Sequence, residues 1–341
     1  MTDSVILFVF FVLGGSMLAQ WTAWRFRLPA IVLLFSLGLL YGPVLQVMHP
    51  SEMIGSAFHP LVSLAVALIV FEGGLALNFR QLKEAGEGVL RLTLVALPIN
   101  FLLGGLAAHF IGGMGWGPAF LFGSIVVVTG PTVVLPLLRH AKLKPRIAAF
   151  LRWEAILNDP VGAILATLVL EVLLMHPGEG SGTFFTAIIP HMLVSAVLMI
   201  GLGVGAAWCV RWLCVRDLLP EIMKMPLFIT LALMLYVVGT LSMDGAGLIA
   251  STVFGMGLAN LRIPGMGELQ RMKEALVVLI VSVLFVLLAA DLQRHELASI
   301  SWSIGALTLA VLFLVRPLGI GLATMGSSLS WAERFFVGWI A

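Results

Sequence analysis

Arg152-Trp153-Glu154-Ala155-Ile156-Leu157-Asn158-Asp159-Pro160 lies inside a run, Ile147–Met175, that is otherwise apolar and long enough to cross a bilayer. A transmembrane helix needs about 20 residues. A charged side chain at mid-bilayer costs about 2.5–3.5 kcal/mol even on the gentlest scale, so ionisable groups at that depth point to pairing or function. Glu154 and Asn158 are four apart and share a helix face, whereas Asp159, five from Glu154, projects to a different side. The two acids therefore need different partners.

The rest of the chain has the same character. Of 341 residues, 60% are hydrophobic and 11% charged, against roughly half apolar and a quarter charged in soluble domains. Apolar spans are expected at Ser4–Trp21, Pro29–Leu45, Phe58–Leu77, Val89–Phe110, Trp116–Leu137 and Ile147–Met175. More follow at Thr183–Leu213, Leu227–Ser242, Gly247–Ala259, Ala275–Ala290 and Trp302–Thr324, with Trp331–Ala341 the start of a twelfth. Backbone in lipid must satisfy its own hydrogen bonds, which here means helices. The expectation is an all-α polytopic membrane protein with no soluble domain inside it. Of the 19 Lys and Arg residues, all but Arg152, Arg294 and Arg316 fall in odd-numbered loops. That asymmetry puts those loops in the cytoplasm and the N-terminus outside. Asp3 precedes the apolar run from Val5 without any Lys or Arg, which suits a retained first span rather than a signal peptide.

Several classes find no support in the residues. No Lys/Arg run makes a nucleic-acid stripe. Cys209 and Cys214 form neither a disulfide framework nor a metal spacing. No His-Glu-x-x-His or nucleophile elbow argues for an enzyme, no Thr-Val-Gly-Tyr-Gly run argues for a potassium-type channel filter, and no cofactor is expected.

Arg316, near the middle of the eleventh span, is the cation outside the sixth span that is deep enough to reach Glu154. A buried Glu154–Arg316 pair tying two helices together follows, leaving Asp159 without a cationic partner and facing a cavity. A protonated Asp159 bridging two helices is the alternative. Val128-Thr129-Gly130-Pro131-Thr132 in the fifth span is the second irregularity. Pro131 has no N–H for the Val127 carbonyl, and Gly130 loosens the same turn. A broken helix there offers carbonyls and Thr hydroxyls to an ion, in the manner of discontinuous transporter helices; taken alone, the span favours a plain proline kink. Pro160 adds a third helix-breaking residue by freeing the Ile156 carbonyl beside Asp159. Arg152 is one turn from the cytoplasmic end and snorkels. Glu72, Glu171 and Asp291, near span ends, read as caps or solvated mouths.

A faint echo relates Phe71-Glu72-Gly73-Gly74-Leu75 to Phe285-Val286-Leu287-Leu288-Ala289, and Pro98 to Pro317, seven spans apart, as an inverted-topology repeat requires. Gly201-x-x-x-Gly205 in the seventh span is of the type that lets helices approach closely.

Together, Glu154-x-x-x-Asn158-Asp159, Thr129-Gly130-Pro131, Phe71-Glu72-Gly73-Gly74 and Val315-Arg316-Pro317-Leu318 resemble the electroneutral, sodium/proton-exchanging branch of the monovalent cation–proton antiporters. The resemblance covers essentially residues 1–341, as one exchanger transmembrane domain. It implies an inverted-repeat fold with discontinuous helices, thirteen spans, a six-helix core moving against a dimerisation domain, and hence a homodimer in the plasma (inner) membrane. It makes Asp159 the carrier of Na+ or proton, Asn158 and Thr129 its neighbours, and Glu154–Arg316 a structural ion pair. Asn158 stands where the electrogenic branch has a second Asp, so exchange is expected to be one for one. Ala155 occupies a position where some relatives carry a Ser near the ion. The chain stops at Trp339-Ile340-Ala341, inside what should be the second broken helix, so it is expected to be incomplete at that end. The expected activity is alternating-access exchange of Na+ or Li+ for protons at Asp159, with potassium/proton antiport the alternative and a channel a more distant one.

Overall fold

The computed structural model describes residues 2–26, 28–77, 79, 95–128, 145–174, 189–243, 245–261, 263, 266–298, 301–325 and 331–340. Among the described residues there is no strand. Fifteen α-helices run α1 Thr2–Phe26, α2 Ala30–Leu39, α3 Pro50–Ile54, α4 Phe58–Leu75, α5 Leu97–Phe110, α6 Trp116–Val126, α7 Pro145–Leu174 and α8 Ile189–Val215. The series continues with α9 Glu221–Ser242, α10 Ala246–Asn260, α11 Met266–Ala290, α12 Arg294–Ala298, α13 Trp302–Ala310, α14 Arg316–Ala323 and α15 Trp331–Ile340. Each expected apolar span falls on one of these helices or extends beyond the described residues. Among the described residues, five segments are long and apolar enough to cross a membrane: 7–26, 50–75, 193–215, 221–242 and 302–323. Large apolar side chains stay exposed along them, as at Val197 (67%) and Leu241 (83%), a surface that suits lipid and not water.

Two helices are wound more widely for one turn, at Leu40–Val44 and Val311–Val315. Pro43 lies inside the first and Pro317 just beyond the second. A proline withholds one N–H from the helical ladder, and the turn beside it adjusts.

The chain divides into two compact units, residues 1–69 with 265–300, and residues 70–264 with 301–341. In the first unit, α1, α2 and α11 enclose apolar clusters around Val12, Met48 and Ala290 and around Ala19, Leu34 and Val286. Gln20 on α1 donates to Ser282 on α11 at 2.8 Å. Asp291 accepts from the Ser51 N–H at 2.8 Å and so caps α3. In the second unit, α5 and α6 form an antiparallel hairpin. A side chain on Gly123 would run into the Phe101 carbonyl and the Gly105 N–H, so glycine is what lets the two backbones touch. On α8, Gly203 lies against α10, while Gly201 and Gly205 have nothing within 4 Å of a would-be Cβ. The small-residue pair singled out in the sequence is thus not the one that packs within this unit.

Candidate functional site

The site is built in the second unit, where α6, α7 and α14 converge. Helix α6 ends at Val126. Val127 and Val128 leave the helix, although their N–H groups still reach the Gly123 and Ile125 carbonyls at 3.2 Å. Arg316, buried at 9% exposure, meets this end: its Nη2 donates to the Val126 and Val128 carbonyls, the latter at 3.1 Å. A helix C-terminus carries unsatisfied carbonyls and partial negative charge, so a guanidinium there satisfies both.

Helix α7 brings the acids. Glu154 and Asn158 are both buried, and the four-residue spacing aligns them so that Asn158 Nδ2 donates to Glu154 Oε1 at 3.2 Å. Gly162, one turn past Asn158, packs on the Val128 side chain, which brings this stretch of α7 beside the end of α6. Trp153 is buried, its ring stacked 6.0 Å from Phe79. The Phe79 N–H donates to Asn260 Oδ1 at 2.8 Å, while Asn260 Nδ2 donates to the Leu77 carbonyl at 2.9 Å. The Phe71-Glu72-Gly73-Gly74 motif sits at the end of α4, with Phe71 stacked on Phe254 at 5.5 Å and Gly74 against the α10 backbone.

The expected site residues fall out as follows. Glu154 and Asn158 bond to each other on α7, and Arg316 reaches the end of α6 on which α7 packs. The backbone of Asp159 and Pro160 is helical, but their side chains lie outside what the structure describes, as do Thr129, Gly130 and Pro131 altogether. Pro160 requires a correction: α7 runs without interruption from Pro145 to Leu174. One interior proline removes a single hydrogen bond, and in membrane helices the surroundings compensate, so the helix persists. Two participants were missed. The backbone carbonyls of Val126 and Val128 belong to apolar residues, and only a donor count on the five N–H groups of Arg316 would have sent the search beyond Glu154. Asn100 on α5 is buried at 5% exposure against Gly319; a lone amide in an apolar run was its one signal.

A strongly apolar, helical chain that buries an acid and an amide on one helix and a guanidinium on another reads as a polytopic membrane protein. The family model described as "Sodium/hydrogen exchanger, transmembrane" matches residues 7–341, and the chain belongs to that family. Among curated relatives, the K(+)/H(+) antiporter NhaP2 of Shewanella sp. (strain ANA-3) is 25% identical over 97% of this chain, and the chain spans 58% of that protein's length. The probable Na(+)/H(+) antiporter 2 of Methanocaldococcus jannaschii is 24% identical over 91% of this chain and 74% of its own. The solved structure of the sodium proton antiporter MjNhaP1 from the same organism at pH 8 matches with a TM-score of 0.82 at 23% identity, covering 98% of this chain and 81% of that one. The fold is therefore that of an NhaP-type antiporter.

Proposed function

We propose that residues 1–341 form the exchanger domain of an antiporter that moves a monovalent cation against protons by alternating access, with Asp159 as the exchanging carboxylate. The observation that carries this reading is the packing of α7, through Gly162, on the end of α6 that Arg316 caps. That contact brings the turn carrying Asn158 and Asp159 to a helix terminus in the protein interior. On either side of the membrane, Asp159 takes a proton or a dehydrated cation, and only the neutralised site crosses. Asn158 and Thr129 line the ion, Gly130 and Pro131 interrupt the helix beside it, and Glu154 with Arg316 holds α7 to α14. One acid per site makes the exchange electroneutral. Na+ or Li+ is the primary cargo. Potassium is the second reading, favoured by relatives named K(+)/H(+) antiporters. In this reading the domain works as a homodimer in the plasma membrane, with its N-terminus outside and the Arg/Lys-rich loops in the cytoplasm.

The test uses the full-length protein in vesicles with a sodium, lithium and potassium panel. Asp159→Asn should reduce cation-dependent proton movement to background while gel filtration and thermal unfolding stay as in the wild type. Full exchange by that variant would end the reading. Which cation drives proton movement in the wild type decides between the two cargoes.

A further inference from the structure

Asn100 is a buried polar side chain beside the site that the proposed exchange does not use. Its Oδ1 has no hydrogen-bond partner among the described residues, and burial without one is costly. Two contacts fix where it sits. A Cβ on Gly319 would overlap Asn100 Oδ1, so the amide presses on the α14 backbone one turn beyond Arg316, within the reach of helix neighbours three apart. The register of the α5–α6 hairpin, in which Gly104 and Gly105 meet Gly123, carries Asn100 toward Val126–Val128 as α5 is followed back from Gly104. That is where Arg316 Nη2 is bound. Arg316 Nη1, the other arm of the same guanidinium, is also buried without a partner among the described residues. An acceptor and a donor, both desolvated, thus lie at one helix end on two helices in contact.

We propose that Asn100 is a positioning residue that holds the Arg316 guanidinium on the end of α6 through one buried water, which accepts from Arg316 Nη1 and donates to Asn100 Oδ1. Two polar partners meet the minimum for a buried water, and native proteins satisfy nearly all buried polar groups by such means. The consequence is that Asn100 fixes the helix end beside the exchange site without touching the ion. This rests on the exchange reading only for its transport readout.

A role in packing alone makes the opposite prediction, which provides the test in the full-length protein. Asn100→Leu keeps the branched outline but supplies no acceptor. Asn100→Ala opens room for a second water to stand in for the amide oxygen. With the water link, the Leu variant loses about tenfold in hydrogen-exchange protection at the Val127 and Val128 amides, while Ala stays within about threefold of the wild type. In vesicles the Leu variant raises the apparent cation KM with kcat kept, and Ala does not. Should the Leu variant fail to accumulate, Asn100→Thr against Asn100→Val repeats the contrast at matched size, the hydroxyl retaining protection and the methyl losing it. The reverse order in either pair, or members that behave alike, overturns the proposal. The exchange measurement needs no transport. Loss of protection in the Leu variant of a protein that moves no cation would defeat the exchange reading and leave this one standing.

Discussion

The two compact units differ in their buried polar groups, although hydroxyls such as Ser124, Ser251 and Thr324 of the second are bonded to backbone carbonyls. Among the described residues of the first, Ser16 and Ser282 are buried and donate to the Leu13 and Val278 carbonyls, Gln20 donates to Ser282, and Asp291 accepts from the Ser51 N–H. In the second, Asn100 Oδ1, Trp153 Nε1, Asn158 Oδ1, Thr240 Oγ1 and Arg316 Nη1 are buried with no partner among the described residues. Among those residues, every such atom falls in the second unit. An uncompensated polar atom in a dry interior typically costs about 1–3 kcal/mol, so a run of them survives where something other than folding uses them. The first unit reads as closed on itself, and the second keeps bonding capacity that its described side chains leave open.

Arg316→Ala is the hardest blow to this contrast. It strips the Val126 and Val128 carbonyls of their donor in a buried setting. Removing one side of such a buried contact typically costs about 3–5 kcal/mol. The yield of monodisperse protein should collapse and the thermal midpoint of what remains should fall. Arg316→Lys should recover part of the loss, since an ammonium keeps the charge but lacks the planar fork that spans two carbonyls. A normal yield and melt for the Ala variant would show that the α6 end needs no cation.

Gly319→Ala is the next test, milder because it adds one methyl. That methyl would overlap Asn100 Oδ1, and overpacking of this kind costs about 1–3 kcal/mol. Thermal unfolding should register the drop, and combining Gly319→Ala with Asn100→Ala should restore most of it. If the single variant melts like the wild type, the close approach of α5 and α14 is wrong.

How far the sequence shows these features depends on which force makes each one. Hydropathy located the membrane-crossing parts, because burial in lipid acts on side-chain composition. It missed the start of α11 at Met266, well before Ala275, because Met266–Glu274 is polar helix that hydropathy does not see. It also missed α3 and α12, which are five residues each. The Glu154–Asn158 bond was legible, since helix geometry makes a four-residue spacing a contact. The anchoring of Arg316 was not: a search for opposite charge finds Glu154, while the guanidinium donates to backbone carbonyls of two valines, and no pattern of side chains displays a carbonyl. Asp159 was conspicuous for the opposite reason, a charge at a depth where charge is expensive. Its expected neighbours Thr129, Gly130 and Pro131 lie outside the described residues.

The smallest predicted effect sharpens the contrast from the scaffold side. Ser282→Ala removes the acceptor of Gln20 between α1 and α11. Interhelical side-chain hydrogen bonds in membrane proteins average about 0.6 kcal/mol, because the alternative partners in the unfolded chain are not poor. The thermal midpoint should therefore fall slightly, and the loss of an equally small amount in Gln20→Leu, with no further loss in the double variant, would locate the whole effect in that one bond. Cation KM and proton coupling should stay as in the wild type, since nothing in this pair is held open. If instead Ser282→Ala changed the apparent cation KM as strongly as Asn100→Leu is expected to, closure of polar groups would have nothing to do with which unit handles the ion, and the division of labour drawn from it would fail.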